Sequence, residues 1–116
     1  MNAARVALLA LLLAAPAAAK PSLAVELKAE VTGYDTSAKP FIVSVEVTIT
    51  NRSESKIQAC DLEVSYLDAA GKAVMVKKHA LGSLELAPGA ETLAGFEDSD
   101  PPPSWNQTVS VAAKCR

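Results

Sequence analysis

Apolar and polar residues alternate with period two along most of this chain. Leu23, Val25, Leu27, Ala29 and Val31 are interleaved with Ala24, Glu26, Lys28 and Glu30, which predicts a strand with one apolar and one mostly charged face. Phe41, Val43, Val45, Val47 and Ile49 repeat the pattern against Ser44, Glu46, Thr48 and Thr50. The β-branched residues that dominate this run suit a pleated, half-buried surface. Over residues 57–67, Cys60, Leu62, Val64 and Tyr66 fall in one phase, and Asp61, Glu63 and Ser65 in the other. Ile57 and Ala59 are out of phase with that set, so a bulge or irregular entry is predicted near Ala59. A return strand over residues 73–77 carries Val74 and Val76. A short strand covers residues 91–96. A last one covers 108–115, with Val109, Val111, Ala113 and Cys115 on one face.

Turn-forming segments separate these runs. "TGYDTSAKP" and "NRSESK" read as loops. "DAAGK" reads as a tight connection in which Gly71 takes a positive φ. In Pro88-Gly89, proline holds the first central position of a turn and glycine the second. "EDSDPPPSWNQ" is an acidic, proline-rich loop, and Leu81, Leu84 and Leu86 are placed beneath the sheets. No segment has a helical period. About seven short strands with regularly spaced turns predict an all-β fold, an antiparallel immunoglobulin-like β-sandwich.

The first residues change the setting. "MNAARVALLALLLAAPAAAK" has a basic start at Arg5, an apolar stretch over residues 6–15, and small residues at Ala17, Ala18 and Ala19. That order predicts a signal peptide over residues 1–19 and a mature domain over 20–116. The apolar stretch is about half of the roughly 20 residues a membrane-crossing helix needs, and no transmembrane segment is expected after cleavage. Alanine richness and the style of this leader point to a bacterial envelope protein, periplasmic or secreted. The formal charge is −2, and loss of Arg5 makes it −3. Without clustered Lys or Arg, a nucleic-acid partner is not expected.

Two cysteines, Cys60 and Cys115, remain. In an exported chain an even count predicts a disulfide, and each thiol shares a strand face with apolar residues. Such a bridge closes a loop of roughly 55 residues and on the chain-entropy model stabilises the fold by about 4 kcal/mol. It joins neighbouring strands or bridges the sheets.

From "VTITNRSESKIQACDLEVSYLDAAGKAV" to "LGSLELAPGAETLAGF" the chain resembles the small extracytoplasmic immunoglobulin-like modules of the FxLYD type. The matching residues are Thr50-Asn51 and Ser53, then Tyr66-Leu67-Asp68 with Gly71, then Pro88-Gly89 and Phe96. The name-giving tract departs from the pattern and reads Ser65-Tyr66-Leu67-Asp68. The resemblance implies a non-enzymatic module of the bacterial envelope and transfers no catalytic residue.

Candidate chemistry is sparse. His79, the single histidine, sits beside two lysines without a partnered nucleophile, and is expected on the surface. Met75 and His79 with a thiol make a conceivable copper set, but the cysteines are better used in a bridge. Glu97, Asp98 and Asp100 offer oxygen ligands of the kind calcium takes, yet their spacing matches no EF-hand loop and they read as a solvated acidic loop. Trp105, the single tryptophan, follows Pro101–Pro103. It is either an exposed binding anchor or a cap on the core. Asn51-Arg52-Ser53 and Asn106-Gln107-Thr108 fit the glycosylation acceptor pattern, which in a eukaryotic secreted protein would put both asparagines at the surface. No catalytic residue, cofactor or metal ligand is assigned. The expected function is an exported, non-enzymatic binding module whose partner is another envelope protein. The alternatives are an accessory or structural envelope protein, or a periplasmic metal carrier.

Overall fold

The period-two runs become six strands in the computed structural model, which describes residues 22–35, 37 and 41–116. They are β1 (Val25–Asp35), β2 (Ile42–Asn51), β3 (Cys60–Leu67), β4 (Ala73–Leu81), β5 (Glu91–Ser99) and β6 (Thr108–Cys115). Among the described residues there is no helix. The expected leader, residues 1–19, lies outside them. The strands form two three-stranded antiparallel sheets, ordered β1-β2-β5 and β4-β3-β6. Six strands stand where about seven were expected. Residues 82–90 contribute only the isolated bridge Ile57↔Leu86, because Ser83 and Glu85 take positive φ before it and Pro88-Gly89 turns the chain just after it.

The central strands build the core. Val43, Val45, Val47 and Ile49 of β2 and Leu62, Val64 and Tyr66 of β3 are at most 1% exposed, and both sets belong to one apolar cluster. Burying each such side chain contributes roughly 1.5–3 kcal/mol. The alternating residues of β1 and β6, such as Leu27, Val31, Val109 and Val111, pack on that cluster but stay half-buried. Each of these strands is hydrogen-bonded into a ladder on one side only, and the two lie alongside each other at one margin of the sheets.

Three strands run further than the pattern indicated. β1 continues through Thr32–Asp35, expected as loop, because the register shifts between Val31 and Gly33. That bulge absorbs one residue and lets Tyr34 pair with Val43 and Asp35 with Ile42. β4 continues to Leu81 opposite Cys60, and β5 to Ser99 opposite Ile42. The apolar pair Val74 and Val76 does not mark the core face of β4. Met75, Lys77, His79 and Leu81 stand opposite Tyr66, Val64, Leu62 and Cys60, and so share their core side. Val76 points out and is 45% exposed. β3 begins at Cys60, and Ile57 sits in its isolated bridge, in line with the irregular entry expected near Ala59.

Two turns follow the residues that specify them. Gly89 has φ 81°, and the Ala90 N–H donates to the Ala87 carbonyl to close the Pro88-Gly89 turn. Gly71 has φ 82°, and Asp68 Oδ1 accepts the N–H groups of Ala70 and Lys72. Cys60 and Cys115 are direct register partners on β3 and β6 and form a disulfide, S–S 2.08 Å. The bridge therefore joins neighbouring strands, and both residues are at most 2% exposed.

Candidate functional site

The alternation of β5 carries Thr92, Ala94, Phe96 and Asp98 onto one face, and this brings a carboxylate into the interior. Asp98 is 5% exposed. Tyr66 Oη of β3 donates to its Oδ2. His79 Nε2 of β4 lies 3.0 Å from its Oδ1, and the imidazole stacks on Phe96 at 4.0 Å between ring centroids. Asp98 thus engages groups of the opposite sheet with both oxygens, strapping β5 to β3 and β4. A buried carboxylate is tolerable only when it is paired and hydrogen-bonded in this way. Two expectations are corrected here. His79 is not a surface residue, since its side chain is 21% exposed, and the expected acidic loop is largely strand, with Glu97 exposed and Asp98 buried on β5 and only Asp100 beyond its end. The signal lay in the phase: Asp98 continues the alternation of Ala94 and Phe96, and His79 that of Met75 and Leu81.

Burial, then the hydrogen bond to Asp98 and its negative charge, push the Tyr66 phenol well above its ordinary range. Folded Tyr66 therefore keeps its proton where an unfolded tyrosine, ionising at about pH 10, has lost it. Its contribution to stability is complete below about pH 10 and declines as pH rises beyond that. Tyr66→Phe is expected to lower the melting temperature at pH 7 and to flatten its fall between pH 9.5 and 11, roughly the window set by that ionisation. Thermal melts across that range check it, and parallel curves for the two proteins would refute the linkage.

A second cluster closes one end of the molecule. Trp105 is 9% exposed and its indole N–H donates to the Thr108 carbonyl at 2.8 Å. Its ring lies edge-on to Tyr66 and Tyr34, both at 5.6 Å, and to Phe41 at 6.3 Å. Trp105 is thus a core side chain, and its candidacy as an exposed binding anchor is corrected. Tyr34, which sequence reading left in a loop, is the exposed member of this cluster at 40%. The polyproline run helps set the indole, because the Trp105 N–H donates to the Pro102 carbonyl.

The remaining candidates separate. Met75 and His79 are four residues apart on β4, about 13 Å along a strand, and the cysteines are joined to each other. Among the described residues no three His, Cys, Asp or Glu side chains gather as a metal site. Asn51 is fully buried, so the first glycosylation pattern is not at the surface, whereas Asn106 is exposed. A shallow concavity of about 610 Å³ lies over β4, β3 and β6. Its exposed residues include Asp61 and Glu63 against Lys78 and Lys114, a balanced set of charges.

No family model matches the chain, and no curated protein matches it. Among solved structures, IrmA from Escherichia coli aligns with TM-score 0.53 and 11% identity, over 80% of this chain and 79% of that one. An ApaA-like protein from Bordetella pertussis aligns with TM-score 0.42 and 23% identity, over 72% of each chain. At such identities the first likeness speaks to the fold alone, and the second carries no argument. Among the described residues no helix is long and apolar enough to cross a membrane.

Proposed function

We propose that this chain is an exported, non-enzymatic binding module of the bacterial envelope, folded as an immunoglobulin-like β-sandwich. The sheet orders fit that architecture, with β1, β2 and β5 in one layer and β4, β3 and β6 in the other. The disulfide and the leader-like first residues favour a periplasmic or secreted location. The FxLYD-type reading goes with this: Tyr66-Leu67 ends β3 and Asp68 opens the Gly71 turn. A non-enzymatic role is supported by the polar interior, where both Asp98 oxygens are engaged and the Tyr66 phenol is held neutral.

The observation that carries the binding role is Tyr34, an exposed ring seated on the rigid Trp105. An aromatic fixed by its own packing offers contact area to an envelope protein at low entropic cost. Capture from envelope extract with the mature protein as bait, read by mass spectrometry, tests this. Tyr34→Ala is expected to lose the captured protein while keeping the fold by circular dichroism, with a melting temperature lower by roughly 5–10 °C because its ring contacts with Trp105 and Phe41 are lost. Equal capture by both baits removes Tyr34 from the reading. An empty capture by the wild type favours the second reading, an accessory structural protein, for which the burial of Trp105 speaks.

A further inference from the structure

The sheet that carries Tyr34 has one sign of charge toward the Tyr34 end. Lys28, Thr48 and Leu93 form one row across β1, β2 and β5. Between that row and the Tyr34 end, every charged residue of these strands is an acid: Glu30 and Asp35 on β1, Glu46 on β2, Glu97 and Asp98 on β5. Asp100 follows just past β5. Asp98 is engaged inside by Tyr66 and His79. Glu30, Glu97 and Asp100 are exposed and Glu46 is half-buried. Among the described residues none of these four has an ion-pair partner. Glu30 even stands directly opposite Glu46, a like-charge pair that costs stability. The β3–β4 turn adds Asp68 and Lys72, one charge of each sign.

Asp100 is held in place beside the aromatic cluster. Its N–H donates to the Phe41 carbonyl at 2.7 Å, and its Oδ1 accepts the Phe41 N–H at 3.2 Å. Its φ is 57°, in the left-handed region that aspartate tolerates better than most residues. Its Oδ2 is left to solvent. The Phe41 ring lies 6.1 Å from that of Tyr34 and 6.3 Å from that of Trp105, between centroids. An exposed ring and an exposed carboxylate are thus both fixed through Phe41.

We propose that the partner docks here through an arginine side chain, with its guanidinium laid on the Tyr34 ring and bonded to Asp100. This rests on the reading of Tyr34 as the binding anchor and adds the chemistry of what anchors there. The face of an aromatic ring attracts a cation. A planar guanidinium can stack on a ring and donate to a carboxylate at once, which suits it better than an ammonium. Glu30, Glu46 and Glu97 draw a basic segment toward this end and disfavour an acidic one.

NMR titration of the mature protein with a capped peptide of three Gly-Arg repeats tests this. The control is the same peptide with neutral citrulline in place of arginine. The arginine peptide is expected to shift the Phe41 amide and the Tyr34 ring signals, and to bind about tenfold more tightly than the control. Asp100→Asn keeps an acceptor for the Phe41 N–H and a residue that tolerates the left-handed backbone. It is expected to weaken the arginine peptide about fivefold. Tyr34→Leu keeps an apolar side chain without a ring, and is expected to abolish the Phe41 amide shift. No binding, equal binding of the two peptides, or wild-type binding by either variant would overturn the proposal. Capture from envelope extract separates it from the reading beneath it. Capture that is lost in Tyr34→Ala, yet unchanged by Asp100→Asn and by screening with about 0.5 M salt, leaves Tyr34 as the anchor and removes the arginine.

Discussion

Replacing Cys60 and Cys115 together by alanine is expected to lower the free energy of unfolding by about 4 kcal/mol, the chain-entropy value for a loop of this length. The bridge ties residues 55 apart in sequence. It therefore removes many conformations from the unfolded chain, while in the folded chain β3 and β6 are already paired at that position. A domain near 100 residues has a total stability of roughly 5–15 kcal/mol, so the loss is a large share of the whole. Urea unfolding, with the slope compared between the two proteins, checks this. A change below about 1 kcal/mol would mean that the unfolded chain is already restricted by residual structure. Both cysteines are buried, so reduction of the folded protein must wait for local opening of the β3–β6 pair.

Asn51→Ala is expected to cost about 3 kcal/mol, from several neutral hydrogen bonds worth about 1 kcal/mol each. The Asn51 amide nitrogen donates to the carbonyls of Ser55 and Leu86, at 2.8 and 2.9 Å. Its oxygen accepts the N–H and hydroxyl of Ser53. One side chain thus shapes the turn after β2 and ties it to the segment before β5, where the Gly89 N–H also donates to the Asn51 carbonyl. The residue is fully buried, so water does not readily replace what alanine removes. Asn51→Asp is expected to be worse still, because it sets a buried negative charge against two carbonyl oxygens. Denaturant unfolding of both variants measures the order. An Asn51→Asp protein as stable as the wild type would show that the site is open to water.

By comparison the surface ion pairs Arg52–Glu26, Lys56–Glu85 and Arg116–Asp61 matter little. Each partner is about half exposed or more, and such pairs typically contribute about 0–1 kcal/mol. The stability of this fold rests on the β2 and β3 core, the disulfide and the buried polar groups that cross between strands.

Local rules alone specified much of this molecule. Period-two alternation marks β2 and β6 almost to the residue, and β3 from Cys60 onward though not over the three residues expected before it, because a strand half in water must repeat its solvent face every second position. Gly71 and Pro88-Gly89 set their turns through backbone sterics that act within four residues. The cysteine pairing was legible because two thiols leave one choice. Tertiary structure decided the rest. The ends of β1, β4 and β5 depend on what pairs across them, and a bulge at Val31/Gly33 or a register opposite Cys60 is a property of two strands, not of one. The roles of Asp98, His79, Asn51 and Tyr34 were hidden for the same reason. A carboxylate in an acidic run looks solvated until a phenol and an imidazole 32 and 19 residues away close on it. A side chain's alternation phase is written in the sequence; what stands opposite that face is set only when the two sheets come together.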